Sequence, residues 1–163
     1  MADDTLLVGM AEYRVARAPI KLGVRGLGSC VALALWDPSS GLGGLAHSML
    51  PTASGNDDAL EQPAKYCDSA VEALLKAIEI GGGRRERCYA RLVGGANMFP
   101  NRLGTGPGAL GERNLSVARS ALRAVGLPIL GEDCGGENGR SLELDCLDGT
   151  VLVWSAWAPP RRL

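Results

Sequence analysis

The sequence predicts an α+β fold, with two long helices packed on mostly antiparallel or mixed β-sheet. Three observations carry this. Two segments repeat apolar residues at helical spacing: Cys67, Ala70, Val71, Leu74, Leu75 and Ile78 in the first, and Leu115, Ala118, Leu122 and Val125 in the second. About eight other segments are short apolar or alternating runs of strand length. The chain also carries 23 glycines, many clustered between those runs, which supply the tight turns that join short strands.

Residues 5–10 and 13–16 read as short strands, and 21–27 as a glycine-punctuated run leading into Ser29-Cys30. The alternating run 31–36, the turn cluster 37–41 (Asp-Pro-Ser-Ser-Gly) and the apolar run 44–50 form a hairpin pattern. Residues 54–62 are polar and loop-like. The first helix starts at Pro63 and stops at Gly81-Gly82-Gly83. Residues 87–94 alternate as a strand, and 100–111 form a loop. The second helix runs over 112–125, with Gly126 at its end. Strands follow at 128–134 and 141–146, separated by the glycine-rich turn 135–139. Asp148-Gly149 is a hairpin turn before the last strand, 150–154. The Pro- and Arg-rich tail, 158–163, is expected to fray. With no internal repeat and no break in composition, residues 1–163 read as one domain.

A chain of 163 residues can bury a sizeable core, and 46% apolar with 21% charged residues is an ordinary globular composition. The net charge of −1 gives no footprint for nucleic acid. No apolar run approaches the roughly 20 residues of a membrane span, and the acidic start MADDTLLVGM lacks a secretory-signal layout. The five cysteines (Cys30, Cys67, Cys88, Cys134 and Cys146) are odd in number and widely spaced. They suggest neither a disulfide framework nor a zinc ribbon, and a single histidine removes His-rich metal sites. The expectation is a reducing, cytoplasmic setting, no metal, and cysteines that are mostly small buried apolar residues.

The chemistry concentrates in GLGSCVALALWDPSSGLGGLAHSMLP, residues 26–51, which holds Cys30 and the only histidine, His47. Their midpoint falls between Pro38 and Ser39, inside the turn, so a hairpin folded there sets the two opposite or nearly opposite. Facing Cβ atoms on one sheet surface lie about 4.5–5.5 Å apart, within reach of a nucleophile–base pair. A register slip of one residue would send the two side chains to opposite faces. The glycines of Gly26-Leu27-Gly28-Ser29 allow close substrate approach, and the N–H of Cys30 with one from a nearby loop is a candidate oxyanion site. Spacing alone also fits a plainer reading, a buried apolar cysteine beside a satisfied sheet histidine.

Other features are weaker. Cys134, beside Gly135-Gly136, is the only rival nucleophile, and no base lies in its segment. Residues 106–111 match GxGxxG before a helix, but they do not follow a strand directly and the chain lacks βαβ alternation. Arg84, Arg85, Arg87 and Arg91 form a basic cluster that reads as a solvated face or a contact for an acidic helix.

Taken together, LGSCVALALWDP (27–38), GGLAHSMLP (43–51), KYCDSAVEALL (65–75), ARLVGGANMF (90–99), GERN (111–114) and EDCGG…GR (132–140) resemble the CheD family of chemotaxis proteins. The resemblance implies a cysteine hydrolase that converts receptor glutamines to glutamate and releases ammonia. It implies a fold of two β layers flanked by helices, as in other cysteine hydrolases. It also implies Cys30 as nucleophile, His47 as base, no organic cofactor, and two protein partners: methyl-accepting chemotaxis receptors as substrate and the CheC phosphatase. The family carries a threonine six residues before the cysteine as third triad member. Here that position is Val24, and the expectation is that its backbone carbonyl orients the imidazole; the alternatives are a hydroxyl from Ser29 or Ser48, or a catalytically weakened adaptor that binds CheC or receptor without turnover. Gly28 and Ser29, with Gly94 and Gly95 from the next glycine turn, are expected to line the substrate and oxyanion site.

Overall fold

The computed structural model describes residues 4–100 and 109–163. Among these, ten strands and two α-helices form. The strands are β1 (Thr5–Leu7), β2 (Tyr13–Arg17), β3 (Lys21–Leu27), β4 (Val31–Asp37), β5 (Leu42–Ser48), β6 (Tyr89–Gly94), β7 (Ile129–Cys134), β8 (Arg140–Asp145), β9 (Val151–Trp154) and β10 (Arg161–Arg162). The helices are α1 (Cys67–Ile80) and α2 (Leu110–Ala124).

The strands build two five-stranded sheets. One has the order β1-β3-β8-β9-β10 and the other β2-β5-β4-β6-β7. Only β1/β3 and β6/β7 are parallel; the other neighbours are antiparallel, so both sheets are mixed, as the sequence predicts. Both helices cover one face of the β2–β7 sheet, and the other sheet covers its opposite face. The layer order is therefore helices, sheet, sheet.

The alternation of β4 decides this arrangement. Val31, Leu33 and Leu35 point into a core shared with Val71, Leu74, Leu75 and Ile78 of α1 and Leu115 and Leu122 of α2. Ala32 and Ala34 point the other way, into an inter-sheet core with Leu22, Val24, Leu45, Leu142 and Val151. A strand apolar on both faces has to sit between two layers.

Several boundaries differ from the sequence reading. The turn over Pro63–Lys65 is 3₁₀, and α1 begins at Cys67. The second helix starts earlier, at Leu110. Val125, expected on its buried face, lies past the helix end and is exposed. There the chain turns through Gly126 at φ +74°. The tail does not fray: Arg161 pairs with Val153, Arg162 with Leu152, and Leu163 exchanges both backbone hydrogen bonds with Val151. An exposed edge on β9 gives these residues partners that local composition does not announce. Of the GxGxxG stretch, positions 106–108 lie outside the described residues. Its last glycine, Gly111, sits in α2 with its α-carbon packed on the Gly95 and Ala96 carbonyls.

Candidate active site

The β4–β5 hairpin pairs Asp37 with Leu42, so it folds back between Ser39 and Ser40, one residue later than its sequence suggests. His47 is therefore opposite Ala32. Cys30 precedes β4 by one residue and lies one diagonal step from His47. Two residues of displacement preserve the face: His47 shares the inter-sheet face with Leu45, and Cys30 packs against the same inter-sheet core. Diagonal neighbours lie about 7–8 Å apart at the backbone, close enough for their side chains to converge.

Both side chains line a cleft of about 390 Å³, together with Leu7, Val8, Gly9, Met10, Arg25 and Gly26. A larger open groove of about 680 Å³ runs along α2, but neither cysteine nor histidine lines it. One cleft wall is the arch over residues 8–12. Val8 N–H donates to Gly23 O in β3 at 2.8 Å, and Ala11 N–H donates to His47 O at 2.9 Å, so the arch is tied to both sheets. Ala11 takes φ 62° to make the turn. On the other side, Arg25 is held by Glu143 at 2.7 Å and lies 4.8 Å from the centre of the Trp154 ring.

Burial sets the protonation states. It pushes the Cys30 thiol above its ordinary value, opposed by a hydrogen bond from its own backbone N–H. It pushes His47 below its ordinary value, opposed by the Val8 carbonyl and the Glu12 carboxylate. Desolvation disfavours the charged form in both groups. Burial thus favours the neutral thiol and the neutral imidazole.

The loop that carries Cys30 is fixed by three consecutive carbonyls. Gly28 O accepts from Ala96 N–H at 2.9 Å, and Cys30 O accepts from Gly95 N–H at 2.8 Å. Ser29 O accepts from Nδ2 of Asn114 at 2.9 Å. The N–H of Cys30 has no acceptor other than its own sulfur among the described residues. Gly94 at φ +110° lets this approach happen, since a Cβ there would collide with Cys30 O.

The expected site residues divide accordingly. Cys30 and His47 come together, with Gly28 and Ser29 in the loop that carries the cysteine. Gly94 and Gly95 grip that loop from behind, and the Gly95 N–H is occupied by Cys30 O, so it is not free to bind an oxyanion. Val24 is fully buried in the inter-sheet core, with its backbone paired to Leu142. The backbone carbonyl that acts on His47 is that of Val8, and His47 Nδ1 is buried without a hydrogen-bond partner among the described residues. Ser48 points to the helix side and donates to Ala64 O at 2.8 Å.

Cys134 donates to Leu92 O on the helix side, and burial pushes its thiol up to about 12. The arginine cluster splits into separate contacts: Arg87 binds Asp37, Arg85 binds Glu72 and Glu79, and Arg91 is half-buried in β6. Two contributors escape the sequence reading. Val8 is placed by long-range pairing and leaves no local signal. Asn114 does leave one, because it sits four residues before Ala118 on an otherwise apolar helix face.

Comparison with known proteins shows the family. A family model, CheD chemotactic sensory transduction, matches residues 49–155. A probable chemoreceptor glutamine deamidase CheD 2 of Geobacter metallireducens is 40% identical over 156 residues, 96% of each chain. The chain belongs to the CheD family. A second CheD relative, a probable chemoreceptor glutamine deamidase of Archaeoglobus fulgidus, is 44% identical over 91% of each chain. A third, a probable chemoreceptor glutamine deamidase CheD 1 of Methanosarcina acetivorans, is 38% identical over 94% of each. Within this CheD chain, Cys30 and His47 line the same cleft. No group of three or more potential metal-ligating side chains occurs among the described residues.

Proposed function

We propose that this CheD-family chain is a protein-glutamine deamidase that converts chemoreceptor glutamines to glutamate. The observation that carries the reading is the cleft shared by Cys30 and His47, beside a Cys30 N–H with no acceptor but its own sulfur among the described residues. As the thiol attacks the side-chain amide carbon, His47 takes its proton. The carbonyl oxygen becomes an oxyanion against the Cys30 N–H. The C–N bond breaks, His47 returns the proton to the leaving nitrogen, and ammonia departs, leaving a thioester on Cys30. Water then attacks the thioester carbon while His47 accepts its proton. The C–S bond breaks, the sulfur recovers a proton, and glutamate is released.

In this scheme the Val8 carbonyl and the Glu12 carboxylate favour the charged imidazole, and so support the imidazolium that forms when His47 takes the thiol proton. The family resemblance supports two finer points, a CheC phosphatase as partner and the cytoplasm as location. No described helix is long and apolar enough to cross a membrane.

The test is ammonia release from a glutamine-bearing receptor fragment. Wild type is expected to turn over, and Cys30→Ala and His47→Gln to lose that turnover while staying folded. Equal release by wild type and Cys30→Ala would refute the thiol mechanism. Co-purification with a CheC phosphatase tests the partner separately.

A further inference from the structure

We infer that Asn114 is a positioning residue that aims the oxyanion-binding N–H of Cys30. The inference rests on the acyl-transfer reading of the cleft. Asn114 is fully buried near the start of α2, and its amide nitrogen donates twice, to Ser29 O at 2.9 Å and to Met49 O at 3.1 Å. One residue precedes the nucleophile and the other follows the base by two. A single side-chain amide therefore ties the two segments on which the reacting groups are carried.

The effect on chemistry follows from peptide geometry. Ser29 C=O and Cys30 N–H belong to the same planar trans unit and point in opposite directions. Holding the carbonyl toward α2 turns the N–H away from it, toward the cleft side of Cys30. The flanking peptides are gripped as well, through Gly28 O and Cys30 O, so the plane cannot rotate without breaking neighbouring bonds. Oxyanion stabilisation depends on donors fixed before the charge develops.

Two further observations fit a retained donor rather than a filler. Both acceptors are carbonyl oxygens, which leaves Asn114 Oδ1 buried and without a partner among the described residues. A leucine would occupy similar space without burying an unpaired acceptor. The helix is also brought unusually close. A Cβ at Gly111, one turn before Asn114, would lie 2.5 Å from Gly95 O and 2.7 Å from Ala96 O. Glycine at that position lets α2 descend until the amide reaches both carbonyls.

The experiment compares two reactions of the same thiol. p-Nitrophenyl acetate acylates Cys30 through an oxyanion; iodoacetamide alkylates it by displacement at carbon, with no oxyanion. In Asn114→Leu, acylation is expected to fall roughly 10- to 100-fold while alkylation stays within about 2-fold of wild type. Parallel loss of both rates, or no loss of acylation, would overturn the inference. If the leucine variant fails to fold, Asn114→Asp serves instead. Its carboxyl donates to Ser29 O only when protonated, so its acylation relative to wild type should rise as pH falls, and a flat ratio overturns the inference. Ammonia release is measured on the same samples. Wild type that is acylated but releases no ammonia from a receptor fragment would defeat the deamidase reading and leave the Asn114 comparison intact.

Discussion

His47 faces Ala32 across the β4–β5 hairpin, and Cys30 lies on the same face one diagonal step away. The thiol and the imidazole therefore approach each other from staggered positions over an inter-sheet core. His47 is buried and Cys30 partly buried, and desolvation favours the neutral form of each. The chemical consequences can be measured.

The pH dependence should show a neutral pair. His47 acts as a base only when unprotonated, and its pKa is lowered, so the acid limb of kcat/KM should have its midpoint below 6.5. The Cys30 thiol is raised above 9.0, so its alkylation by iodoacetamide should keep rising beyond that pH. An alkylation rate already level at neutral pH would indicate a preformed thiolate–imidazolium pair instead.

Val24→Thr should improve the enzyme. The family resemblance puts a threonine there, and His47 Nδ1 is buried without a partner among the described residues. A hydroxyl bonded to the imidazole should raise kcat/KM and leave stability within about 1 kcal/mol of wild type. A hydroxyl left unpaired would instead cost about 1–3 kcal/mol. Steady-state kinetics with urea unfolding separates the two.

Gly94→Ala should damage both fold and site. The position holds φ +110°, and its Cβ would overlap Cys30 O. A loss of about 1–3 kcal/mol is expected from backbone strain, together with reduced turnover as the Cys30 loop shifts. Thermal unfolding and ammonia release would both register it.

Asp37 is a test of stability away from the cleft. Burial alone would push its carboxyl up. Donors from Arg87, the Arg84 N–H, Ser40 and the Ser39 N–H outweigh that and bring it down to about 2. Its folded value is depressed, so its contribution is present above 3.8 and is lost as pH falls through about 2. That contribution is about 2 kcal/mol at neutral pH. Asp37→Asn should cost about 2–4 kcal/mol in urea unfolding at pH 7, because Arg87 and two backbone N–H groups lose their charged partner.

Much of this was legible in the sequence because period-two patterns survive small errors. The hairpin and the shared face of Cys30 and His47 follow from alternation, even though the turn lies one residue further on. That error has a physical cause. Asp37 reads as a turn residue, but Arg87, fifty positions away, and the Arg84 N–H hold it as the last paired residue of β4. The pairing of the tail with β9 and the arch that brings Val8 to His47 are likewise long-range and leave no local trace. Asn114 was readable in part. A polar residue on an apolar helix face demands partners, but which carbonyls it reaches depends on how closely Gly111 lets α2 approach.

The most direct test of the central claim is site-resolved mass spectrometry of a cognate receptor fragment after incubation with wild type and with Cys30→Ala. The account predicts conversion of particular glutamines to glutamate by wild type, and none above background by the folded variant. Unchanged glutamines with folded wild type would contradict it. They would point instead to an adaptor that keeps the CheD fold without turnover.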